Sequence, residues 1–103
     1  MNLEIKKDLA SNWFKTLQDA ICDDIQSLEK NKIEFKKTNW SRNYKKNEGG
    51  GEYRILRNGK IFDKVGVNFS MVHGKFPKKF QKNIPGAQKD SRFWASGISV
   101  VMH

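Results

Sequence analysis

The sequence predicts an α+β fold: one amphipathic helix packed on an antiparallel sheet that contains a long β-hairpin. Three patterns carry that reading. Apolar residues recur at spacings of three and four from Leu9 to Leu28. Strict alternation runs through residues 60–73 and again through 91–103. Between two strand-like arms stands Asn58-Gly59, a strong hairpin signal because a type I′ turn needs positive φ at both central residues.

The helix is expected over about residues 8–30, with Leu9, Trp13, Leu17, Ala20, Ile21, Ile25 and Leu28 forming its apolar stripe. Asp8 or Ser11 is suited to cap its start. Its polar face mixes Lys15 with Asp19, Asp23, Asp24 and Glu29, which favours packing on a sheet over lying on a membrane. A short strand is expected over 33–40, with Ile33, Phe35 and Lys37 on one face. The polar run from Ser41 to Glu48 then leads into Gly49-Gly50-Gly51, read together as a mobile loop.

The hairpin arms are expected at 52–57 and 60–73, with a bend near Gly66. On the second arm Val65, Val67, Phe69 and Met71 share one face. Residues 75–90 contain Pro77 and Pro85-Gly86 and read as a loop, pinned by Phe76 and Phe80. In the final strand, 91–103, Phe93, Ala95, Gly97, Ser99, Val101 and His103 share a face; Trp94, Ser96, Ile98, Val100 and Met102 share the other. A helix on one side leaves nothing in the sequence to cover the other side, as expected for part of a larger helix-flanked sheet.

At 103 residues the chain allows one modest domain or a piece of a larger one. Only 37% of residues are hydrophobic and the mean hydropathy is −0.76, so the core must be lean. The net charge of +9 admits three origins: a nucleic-acid footprint, an electropositive cleft for an acidic small molecule, or a solvated lysine-rich surface. Cys22 is the single cysteine, which excludes a disulfide framework and a thiolate zinc site; it reads as a buried inert thiol in a reducing compartment. With no apolar run of signal-peptide or membrane-spanning length, the expected location is the cytoplasm, without membrane contact.

The same residues carry a family resemblance. GGGEYRILRNGKIFDKVGVNFSMVHG, Gly49 to Gly74, resembles the opening motif of oxygen-dependent coproporphyrinogen III oxidases. Ser96 to His103 resembles that family's G-V-S-x-V-x-H strand, and Trp40-Ser41-Arg42 is similar to a third, weaker block. The resemblance runs from about Leu9 to His103, so the expected unit is the amino-terminal portion, 1–103, of a single oxidase domain. It implies oxidative decarboxylation of coproporphyrinogen III to protoporphyrinogen IX in haem biosynthesis. O₂ would be co-substrate, with no organic cofactor, in a homodimer. It also implies that Ser99 contacts substrate and that His103 ligates a divalent metal. The family's proton-donating histidine lies beyond His103, so no catalytic residue is assigned and the chain alone is expected to be inactive.

Other residues are read from chemistry. Arg42 and Arg54 are candidates for propionate carboxylates, because a guanidinium fork pairs a carboxylate bidentately. Ser99 and His103 lie four residues apart on one strand, ~13 Å, too far for a hydrogen-bonded nucleophile pair. That excludes a serine hydrolase built from them. His73 reads as a structural histidine at a strand end, and two histidines with one cysteine cannot complete a tetrahedral metal site. Gly49–Gly51 lacks the flanking strand, helix and Lys-Ser/Thr of a phosphate cradle. The alternative function is a small basic module binding single-stranded nucleic acid through the aromatics of its sheet.

Overall fold

The computed structural model describes residues 2–43 and 45–103. Met1 and Tyr44, the latter within the expected loop, lie outside the described residues. Helix α1 (Leu3–Leu28) is followed by strands β1 (Lys36–Ser41), β2 (Gly49–Arg57) and β3 (Lys64–Lys75), a single helical turn α2 (Lys78–Gln81), and β4 (Arg92–Met102). The strands form one antiparallel sheet in the order β1-β2-β3-β4. The fold is α+β.

Helix α1 begins earlier than Asp8 and neither expected residue caps it. Glu4, Lys6 and Lys7 are good helix formers with nothing to interrupt them. The cap is Asn2, whose Oδ1 accepts from the Ile5 N–H at 2.9 Å. The face turned to the sheet is also offset from the expected stripe. Gln18, Cys22 and Ile25 are buried, whereas Leu9, Trp13 and Leu28 are exposed, Trp13 to 62%. The offset follows from the buried amide: Gln18 Nε2 donates to the carbonyls of Glu52 (2.9 Å) and Val67 (3.1 Å), which fixes the rotation of the helix over β2 and β3.

Beneath the helix Leu56, Val65 and Val67 are fully buried, with Cys22, Ile25 and Phe35 completing the core. Each such aliphatic side chain contributes about 1.5–3 kcal/mol. The register pairs Leu56 with Val65 and Arg54 with Val67 on this face. The other face carries Tyr53, Ile55, Gly66, Asn68, Gly97, Ser99 and Val101, and no element of the described residues lies over it. The radius of gyration is accordingly 17.0 Å, against about 13 Å for a compact chain of 100 residues.

Three local readings change. Gly49–Gly51 is not loop but the start of β2: all three pair with β3, and Gly50 and Gly51 pair with β1 as well. A Cβ at Gly50 would run into the Trp40 carbonyl, and one at Gly51 into the Phe69 carbonyl, so the glycines allow three strands to close together. Strand β1 begins at Lys36 rather than Ile33, because Ile33 N–H turns back to the Asn31 carbonyl at 2.8 Å. The segment after β3 is mostly irregular, as expected. Phe76 does pin it, stacking on Phe93 at 4.8 Å, but Phe80 is half exposed and the buried anchor is Ala87.

The hairpin turn is also different. Only Asn58 has positive φ (61°), and the connection runs from Asn58 to Asp63, closed by the Asn58 N–H to the Asp63 carbonyl at 2.9 Å. The cause is Glu29. This residue ends α1, is 2% exposed, and places its carboxylate inside the loop. Oε2 accepts from Lys60 N–H (2.8 Å), and Oε1 from Ile61 (2.7 Å) and Phe62 (2.8 Å). Successive backbone N–H groups around one anion form a nest, which replaces the two-residue turn.

The Phe62 N–H first, with those of Ile61 and Lys60, holds the Glu29 carboxyl below its ordinary pKa against the opposing effect of burial. A depressed folded value means its contribution to stability is complete above the unfolded pKa of about 4.3 and is lost as pH falls through the folded value. The gap in urea midpoint between the parent chain and Glu29→Gln should therefore stay constant at neutral pH and shrink below about pH 4. A gap unchanged in acid would refute the nest. Separately, Gly51→Ala should lower stability by about 1–3 kcal/mol in urea unfolding. Gly66→Ala, where a Cβ meets open space, should stay within about 0.5 kcal/mol of the parent or gain slightly.

Candidate functional site

The uncovered face is built by the alternation of β3 and β4. Asn68 pairs directly with Ser99, and Gly66 with Val101. Tyr53 lies opposite Asn68 on the β2 side. Together Tyr53, Ile55, Asn68, Ser99, Val101 and His103 line a shallow cavity of about 320 Å³. Its floor is low because Gly66 carries no side chain, and a Cβ there would have no neighbour within 4 Å; Gly97, further along the same face, is equally open. A flat ligand can approach the backbone there.

Ser99 and His103 are both exposed on this face, as their common parity in β4 requires. His103 follows the last residue of β4 but is held by main-chain bonds: its N–H donates to the Lys64 carbonyl (2.9 Å), and its own carbonyl accepts from Asp63 (2.9 Å). Among the described residues no cluster of three or more His, Cys, Asp or Glu could hold a metal ion. One imidazole does not make a metal centre. His73 has the opposite parity and faces the helix side, paired with Trp94.

The two arginines separate. Arg54 lies on the helix side, buried, with Nη1 2.7 Å from Asp19 Oδ1 and Nε 2.6 Å from Glu52 Oε1. Burial disfavours its charge, but the two carboxylates outweigh that and raise its pKa. Its guanidinium is engaged by these two carboxylates inside the fold, and the residue also borders the cavity that Ser99 and His103 line. Arg42 does reach the uncovered side. It crosses Gly74, donates to the His73 carbonyl (3.1 Å) and stands 4.9 Å from the Phe93 ring, with Glu48 at 3.8 Å. Phe93 and Ser99 are six residues apart on β4, ~20 Å, so Arg42 marks the far end of the face.

A larger cleft, about 650 Å³, opens between α1 and β1–β2, lined by Ser11, Lys15, Gln18, Asn39 and Gly50 among others. Its polar groups are largely satisfied internally: Gln18 by two carbonyls, Asp19 and Glu52 by Arg54, Ser11 by Ser96 at 3.4 Å. Ser99 and His103 do not line it. Glu29 was not legible as part of any site. In sequence it is one more acid on a helix flank, and no spacing rule links it to residues about thirty positions away.

Residues 9–103 match the family described as coproporphyrinogen III oxidase. The chain belongs to that family. The oxygen-dependent coproporphyrinogen-III oxidase of Rickettsia felis is 41% identical over 105 residues, covering 94% of this chain and 36% of that protein. Those of Rickettsia africae and Rickettsia typhi are 39% and 40% identical over 111 residues, each covering all of this chain and 38% of the relative. The chain thus spans little more than a third of the length of these curated relatives. No helix among the described residues is long and apolar enough to cross a membrane.

The placement of the arginines yields a contrast. Arg54→Met should cost about 1.5–3 kcal/mol of stability, the range for hydrogen bonds to charged groups. Arg42→Met, at an exposed ion pair, should cost no more than about 1 kcal/mol. Equal urea midpoints for the two variants would contradict the structural role given to Arg54.

Proposed function

We propose that this chain forms one wall of a coproporphyrinogen III site and that it acts in O₂-dependent oxidative decarboxylation to protoporphyrinogen IX. The observation that supports this most is the uncovered, glycine-floored face on which Ser99 and Asn68 stand side by side. A broad ring with carboxylate arms can lie flat there, with hydroxyl and amide groups beneath it and Arg42 at the far end. Each reacting propionate loses CO₂, one proton and two electrons beyond the carboxyl proton it carries, and O₂ takes up the electrons and protons. The pyrroles supply the electron density, without an organic cofactor. The protein orients the ring and keeps water from the reacting arm.

Within this wall Ser99 is the substrate contact and His103 stands where it can join ligands from elsewhere in a complete cleft. If a divalent metal takes part, its remaining ligands come from residues outside this sequence. The working unit is a homodimer in the cytoplasm, and the remaining walls are supplied by the parts that the longer relatives contain. The nucleic-acid reading loses ground on two details. Trp40 Nε1 is tied to Asn68 Oδ1 at 3.1 Å, and Phe93 is stacked on Phe76, so neither offers a free platform for bases.

The test uses coproporphyrin III, the stable oxidised ring, titrated into labelled chain. Amide shifts should move at Ser99, Asn68, Gly66 and Gly97 and stay still along α1. Ser99→Ala should weaken binding by roughly 10- to 150-fold, the equivalent of one hydrogen bond to a charged group. Shifts confined to the α1 side, or none at all, would overturn the proposal. Supplying the carboxy-terminal part of a relative and assaying O₂-dependent CO₂ release then tests the reaction itself.

A further inference from the structure

The Glu29 nest has a neighbour that its fold role alone does not require. The loop it holds continues directly into Asp63 and Lys64. The Asp63 N–H donates to the His103 carbonyl at 2.9 Å, and His103 N–H returns a bond to the Lys64 carbonyl at 2.9 Å. A line of short contacts thus runs from the end of α1, through one buried carboxylate and three backbone N–H groups, to the histidine at the end of β4. Nothing else among the described hydrogen bonds ties α1 to that corner of the sheet.

We infer that Glu29 is a positioning residue for His103: its carboxylate fixes the backbone of residues 60–62, and through Asp63 sets where the imidazole stands on the uncovered face. The functional weight of this rests on the reading of that face as the substrate wall. The geometry favours a carboxylate over any other side chain. Three donors converge on two oxygens, and an amide in its place would set an NH₂ against at least one backbone N–H. Aspartate would be a methylene too short to reach all three. Glycine at position 59 belongs to the same device, since a Cβ there would stand 2.6 Å from Glu29 Oε1.

The test is made on the 103-residue chain by amide hydrogen exchange and by the His103 imidazole resonances. Glu29→Gln should speed exchange at Asp63 and His103 about tenfold or more relative to Phe76, whose N–H bonds to Ser91 at the other end of the β3–β4 ladder. It should also shift the His103 Cε1–H signal. Gly59→Ala should do the same from the opposite side of the contact, and serves where Glu29→Gln does not fold. Gln18→Ala, which removes hydrogen bonds remote from the loop, should move His103 and Phe76 together. If Glu29→Gln also moves them by one common factor, or leaves the imidazole signal in place, the inference fails. Coproporphyrin III separates the two readings. A parent chain whose Ser99 region ignores the ring sinks the substrate wall and leaves the exchange result standing; a His103 that ignores Glu29 while Ser99 responds to the ring sinks only the positioning role.

Discussion

One helix lies across four strands, and it can shield only one of their two faces from water. That constraint decides the character of nearly every residue in the sheet. On the shielded side the alternation of β3 delivers Val65, Val67 and Phe69 to the helix, and β2 contributes Leu56. On the other side the same alternation places glycines, a serine, an asparagine and a tyrosine, together with Ile55 and Val101. A face meant only for water would carry long charged side chains, as the exposed faces of antiparallel sheets do. Here the middle of the face mixes glycines and the small polar Asn68 and Ser99 with the apolar Ile55 and Val101, while Lys64 and Arg42 stand toward its ends.

The shielded side is not purely apolar, and its polar groups are what make the packing specific. Gln18 reads two strand carbonyls and so sets the rotation of α1. Arg54 answers to a carboxylate on the helix and one on its own strand. Glu29 gathers the hairpin loop around itself. Each is a buried group that would cost more unpaired than it contributes paired, so each penalises a slipped register. The large net positive charge of the chain therefore says little about this interior, where acids and bases are matched.

The strand faces were legible in the sequence because alternation has a period of two and β3 and β4 each run for more than ten residues. Ser99 could be assigned to a face from parity alone. The features that escaped were those set by contacts distant in sequence. Asn58-Gly59 announces a turn, yet its shape is dictated by Glu29 on another element. Gly49–Gly51 reads as loop because a glycine carries no side-chain signal for pairing, although β1 and β3 close in on it from both sides. The apolar stripe of α1 is broader than the sheet can cover, and the polar Gln18 decides which part of it turns inward. Arg42 and Arg54 are alike in sequence; burial beneath the helix and the close carboxylates of Asp19 and Glu52 separate them.

Burial of Cys22 behind the helix has a practical corollary. The loss of solvent around its sulfur pushes the thiol pKa up, so a nucleophilic thiolate is scarce even before access is considered. An alkylating reagent can react only when α1 lifts from the strands. The rate of thiol modification would then measure the frequency of that detachment, giving a clock for helix undocking that needs no introduced label.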